Sequence, residues 1–99
     1  MKPLRISELA SRELSEAVRW YENRRPGWGG KLLDAANHSI ELIEALPEIG
    51  EERRGRHASR QFRVLGVPYN VVYRIRPQDL YVVAIAQTSR RPGYWKNRD

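Results

Sequence analysis

The chain has 99 residues, 40% of them hydrophobic, no cysteine and a net charge of +6. That length supports one domain over residues 1–99 with a single small core, and the lack of cysteine excludes a disulfide framework or a thiolate metal site. Residues 1–52 hold 7 Lys/Arg against 10 Asp/Glu and residues 53–99 hold 11 against 2, so the basic character sits in the second half and favours an acidic partner there.

The opening MKPLRIS lacks the apolar stretch of a signal peptide. Lys2 to Ile6 reads as a short strand, and Ser7 followed by Glu8 reads as an N-cap with an acid in the first turn. Ala10, Leu14, Ala17, Val18 and Tyr21 then form one stripe of a helix, with Glu8, Arg12, Glu16 and Arg19 on the opposite, solvated side. NRRPGWGG, Asn23 to Gly30, ends that helix and starts another. In the second helix Leu33, Ala36, Ile40, Ile43 and Pro47 continue an apolar stripe flanked by Leu32 and Leu46, and LPEIG closes it. Two helices on so short a connection predict an antiparallel hairpin.

Beyond Gly50 the hydrophobic period changes from about 3.6 to 2. Gln61 to Leu65 reads as a strand, broken by Gly66 and Pro68. Tyr69, Val71, Tyr73 and Ile75 alternate with Asn70, Val72, Arg74 and Arg76, the pattern of a half-buried strand. After a turn at Pro77 to Asp79, the run LYVVAIA, Leu80 to Ala86, is apolar throughout, as in a central strand covered on both faces. It is far too short to span a bilayer, so a soluble, cytoplasmic chain with no membrane contact is expected. The elements predict an α+β fold of order β-α-α-β-β-β, with the helical hairpin packed on one face of a small antiparallel sheet and the first strand's partner open. Leu14, Tyr21, Leu33, Ile40, Ile43, Val71, Tyr73, Val82 and Ala84 are the expected core. Phe62 and Val64 share one strand face, joined by Arg60, whereas Arg63 points the other way. Arg63 and Arg74 on the uncovered sheet face would form a shallow positive surface bordered by the C-terminal tail.

Few residues suggest catalysis. Asp34, His38 and Glu41 share one side of the second helix, but opposite the apolar stripe this is the pattern of a solvated face, and no metal is expected. His57 stands among Arg53, Arg54, Arg56 and Arg60, cations that oppose its protonation. Neither a Gly-rich phosphate loop nor a plausible Ser-His-Asp set is present, and Asp79 and Asp99 are the only acids after residue 52. No cofactor is expected. The tail QTSRRPGYWKNR, Gln87 to Arg98, crowds four cations around a Pro-Gly turn and a Tyr-Trp pair. It admits two readings: a charged terminus with Trp95 folded back as a core cap, or a binding surface rich in the Arg, Tyr and Trp of interface hot spots.

The ordered series ELSEAVRWYENRRPGWGGKLLDAANHSIELIEALPEIG, VPYNVVYRI, VVAIA and RRPGYW resembles the ParE/RelE superfamily, the toxins of type II toxin-antitoxin systems, over almost the whole chain. The resemblance implies a strand, two helices and a three-stranded antiparallel run, with a C-terminal region that helps to form the functional surface and is covered by a cognate antitoxin in a hetero-oligomer. It also implies one of two activities. ParE-like members poison DNA gyrase without being enzymes; RelE-like members cleave messenger RNA at the ribosome. The nearest matches to the basic residues and tyrosine of the RNase branch are Arg63, Arg90 and Tyr94. Gln87 stands where many relatives carry a histidine, and the sequence pattern places no matching glutamate on the expected strands. The WYE and PGWG hairpin is closer to ParE-like sequences, which favours a gyrase-directed, non-catalytic toxin, with the ribosome-dependent endoribonuclease as the alternative. The target or antitoxin surface expected on these grounds comprises Arg60, Arg63, Arg74, Arg90, Arg91, Tyr94 and Trp95.

Overall fold

The computed structural model describes residues 2–54 and 58–98. Its elements are β1 (Leu4–Ile6), α1 (Glu8–Arg24), α2 (Trp28–Ala45), β2 (Glu51–Arg53), β3 (Ser59–Arg63), β4 (Tyr69–Ile75) and β5 (Leu80–Gln87). The sheet order is β1-β5-β4-β3-β2. This is the expected α+β order with two corrections. The sheet is mixed rather than antiparallel, because β1 runs parallel to β5, with Leu4 opposite Leu80 and Ile6 opposite Val82. A further strand, β2, pairs antiparallel with β3 at the edge. The strand expected at Gln61 to Leu65 is β3, which begins and ends two residues earlier.

Local chemistry fixes the hairpin. The Ser7 side chain accepts the Ala10 N–H at 3.0 Å and so caps α1. At the other end Arg25 is extended, φ −156° and ψ 118°, as the ring of the following Pro26 demands. Gly27 has φ +93° and caps α2 without a side-chain oxygen. That role falls to Glu22 of α1, whose carboxylate accepts the N–H groups of Gly27 (3.0 and 3.1 Å) and Gly29 (3.1 Å). Gly29 also lets the helices close up: a Cβ there would meet the Val18 carbonyl oxygen at 2.7 Å and Glu22 Cβ at 2.9 Å. This approach turns α2 so that Gly29, Leu32, Ala36, Ser39 and Ile43 are buried. The stripe expected through Leu33 is therefore rotated by about one position; Leu33 is 38% exposed, Ile40 is half-buried and Leu32 takes the core place.

Side chains of the sheet hold the segment after α2. The Tyr73 hydroxyl accepts the Gly50 N–H at 2.9 Å and donates to the Pro47 carbonyl at 2.6 Å. Arg60 donates to the carbonyls of Glu48 (3.2 Å) and Gly50 (2.9 Å). These bonds lay Glu51–Arg53 along β3. At the β4–β5 turn, Arg76 clamps Asp79 with two hydrogen bonds of 2.6 Å. That guanidinium, helped by Arg5 and Lys2, holds the Asp79 carboxyl below its ordinary range.

Two apolar clusters cover the sheet. On the helix side, Ala10, Ala17, Leu32 and Ile43 meet Val64, Val71, Tyr73, Leu80, Val82 and Ile85, with Leu14, Tyr21 and Phe62 packed against them. On the other side Val72, Val83, Ala84 and Ala86 pack with Trp95, joined by Tyr81 and Tyr94. Ala84 was expected between hairpin and sheet and instead faces the tail. The cause is a bulge: Val72 pairs with Ala84 but Tyr73 pairs with Val82, so one extra residue in β5 reverses the facing of every residue after it.

Candidate functional site

The tail turns back over the sheet. After β5 the Thr88 N–H donates to the Pro68 carbonyl at 2.8 Å and the Arg90 N–H to the Gln87 carbonyl at 3.0 Å. Gly93, φ +80°, completes the reversal that Pro92 begins, and Trp95 is then buried to 6% exposure against Val72, Val83, Ala84 and Ala86. The indole thus caps a second core on the face that sequence reasoning left open. Arg53 of β2 lies above it, its guanidinium carbon 5.4 Å from the ring centroid.

One carboxylate organises this tail. Glu13 of α1 accepts the Tyr94 hydroxyl at 2.6 Å, the Ile85 N–H at 3.0 Å and both terminal nitrogens of Arg98 at 3.0 and 3.2 Å. Arg90 adds a looser ion pair at 3.7 Å. Arg98 also donates to the Val83 carbonyl at 3.2 Å, and the Ser7 hydroxyl reaches the same oxygen at 3.3 Å. Beyond the end of β1, the edge of β5 is therefore closed by side chains from α1 and the tail. Glu13 falls at i+3 from Ala10 and four residues before Ala17, within the apolar stripe of α1. An acid on a buried stripe is the signal that could have found it, because such a group needs partners.

Tyr94 is held from every side. The guanidinium of Arg90 sits 3.8 Å from its ring centroid and that of Arg98 sits 5.1 Å away, and Trp95 packs edge-on at 5.2 Å. Burial, then the hydrogen bond to Glu13 and its negative charge, push the phenol well above its ordinary pKa, with Arg90 and Arg98 opposing in part. At neutral pH the phenol keeps its proton and donates it to Glu13, an arrangement suited to positioning rather than to accepting a proton.

The other expected site residues are divided. Arg60 is on the helix side, engaged with the α2–β2 connection. Arg63 lies at the C-terminal end of β3, its Nε donating to the Val67 carbonyl at 3.1 Å, and does not line the groove that holds Arg74. Arg91 is exposed, and the Arg90 side chain is 53% exposed. Arg74 lines a groove of about 470 Å³ between β2, the sheet and the tail, where Arg53, Arg54, Lys96 and Arg98 join it. The positive surface expected beside Arg74 is thus present, but built with β2 and the tail rather than with Arg63. Asp34, His38 and Glu41 are exposed on α2, and His57 lies outside the described residues.

A second surface carries no residue singled out for a site in the sequence. A groove of about 400 Å³ runs between the hairpin and the β3–β4 connection, lined by Tyr21, Trp28, Lys31, Leu32, Leu65 and Val67 among others. Leu65 is 80% exposed, and Trp20 and Trp28 stand out nearby, each with an arginine over its ring, Arg24 at 4.3 Å and Arg25 at 5.2 Å. Among the described residues no group of three acids or histidines could hold a metal ion, and no helix is long and apolar enough to cross a membrane.

A family model described as the ParE toxin of the type II toxin-antitoxin system, parDE, matches residues 4–92. No curated protein is significantly similar to the chain. Among solved structures, a chain of the chromosomal ParDE TA system from P. aeruginosa superposes with a TM-score of 0.69 at 16% identity, covering 90% of this chain and 98% of that one. At that identity the likeness shows a shared fold.

Proposed function

The chain belongs to the ParE toxin family of type II toxin-antitoxin systems, and we propose that it acts in the cytoplasm by binding DNA gyrase and is neutralised by a cognate antitoxin in a hetero-oligomer. The observation that carries the contact reading is the commitment of Tyr94 to Glu13. A phenol so held gives the tail shape and no available base, which leaves the exposed Arg90 and Arg91 to meet a target through charge. This supports a toxin that works by contact, in keeping with the gyrase poisoning that the ParE-like resemblance implies.

The apolar groove suits the antitoxin. An amphipathic helix laid across Trp28, Leu65 and Val67 would bury apolar surface, while acidic groups on its rim meet Arg24, Arg25 and Lys31. The test is to add the purified chain to gyrase and supercoiled plasmid. Gyrase-linked linear DNA should accumulate, and the product of the adjacent reading frame should abolish it. No effect on gyrase, together with cleavage of messenger RNA on translating ribosomes, would overturn the gyrase reading.

A further inference from the structure

The groove beside the tail takes no part in the gyrase and antitoxin contacts proposed above. Among the described residues that line it, five are cations, Arg53, Arg54, Arg74, Lys96 and Arg98, and none is an acid. Its apolar lining is already spent on packing: Val83 is 2% exposed and Trp95 6%. An acidic peptide would find charge there but no pocket for an apolar anchor. A single strand with splayed bases would find no open ring to stack on, since Arg53 lies over the Trp95 ring. What the groove can recognise is a row of phosphates, the part of a duplex that positions a protein without reading its sequence. We propose that this groove binds the phosphate backbone of duplex DNA, directly and without a protein target. Arg53, Arg54 and Lys96 are exposed and make the contacts; Arg74 adds charge from the sheet, and Arg98 is committed to Glu13.

Three phosphate contacts give a logarithmic salt slope of about −2.7, which is a loss of affinity of about 40-fold between about 50 and 200 mM salt. The experiment is fluorescence anisotropy of a labelled duplex DNA oligonucleotide of arbitrary sequence with the purified chain, gyrase being absent. The double variant Arg54→Gln/Lys96→Gln, both exposed positions, should flatten the slope to about −0.9 and leave about a 3- to 4-fold salt effect. Arg12→Gln/Arg19→Gln, which removes the same charge from α1, should keep the original slope. An unchanged slope in the groove variant, tighter binding of duplex RNA, or displacement of the DNA by polyglutamate at equal charge would overturn the proposal. Because no gyrase is present, each result stands apart from the outcome of the gyrase assay.

Discussion

Ile43→Ala is expected to lower the stability of the fold by about 2 to 5 kcal/mol, the range for emptying a buried branched site of this size. Ile43 is fully buried where the last turns of α2 meet the sheet, in the cluster that holds Val64, Val71, Tyr73 and Val82. Its neighbours cannot close the gap easily, because the α2–β2 connection is fixed by Tyr73 and Arg60. In a domain this small each kcal/mol moves the melting temperature by about 4 to 8 °C, so thermal unfolding should show a drop of about 10 °C or more. Leu33→Ala, at a position once expected in the same core but 38% exposed, should cost under about 1 kcal/mol. Equal melting temperatures for the two variants would contradict the observed rotation of α2.

Glu13→Ala is expected to be of similar severity by a different route. It removes the common acceptor of Tyr94, Arg98 and the Ile85 N–H, leaving polar donors stranded in a mostly buried place. Hydrogen bonds to a charged group contribute about 1.5 to 3 kcal/mol each but are not additive, and partial solvent access to Glu13 and Arg98 reduces the total to about 2 to 4 kcal/mol. The tail should loosen before the whole fold does. Trypsin should cut after Arg90 and Lys96 faster than in the wild type, and the tryptophan emission should shift toward that of exposed indole as Trp95 is released. A variant with wild-type melting and wild-type proteolysis would show that Glu13 does not hold the tail.

Much of this architecture was legible in the sequence, and the exceptions share a physical origin. The stripe Ala10, Leu14, Ala17 and the alternation of Tyr69, Val71 and Tyr73 announce their elements because local periodicity and tertiary burial agree there. β2 has no such signature: Glu51, Glu52 and Arg53 become a strand through bonds that Tyr73 and Arg60 make to the backbone just before them. The bulge at Val83 is equally invisible, since a fully apolar run does not reveal where its facing reverses. The orientation of α2 depends on one contact between Gly29 and α1, which a periodic count cannot see. At the tail, the reading of Trp95 as a cap is the one its burial supports. The partner of Tyr94 was missed because Glu13 is 81 residues away in sequence.

The most direct test of a toxin that acts by contact, with Tyr94 as a packed and protonated group, is the gyrase cleavage assay repeated with Tyr94→Phe. The substitution keeps the ring between Arg90 and Arg98 and removes only the hydroxyl that donates to Glu13. After correction for the folded fraction, gyrase-linked linear DNA should stay within about twofold of the wild type, far from the roughly 100- to 10,000-fold loss that removing a proton-transfer group produces. A folded Tyr94→Phe that still binds gyrase and antitoxin but traps no cleaved DNA and no longer arrests growth would contradict it.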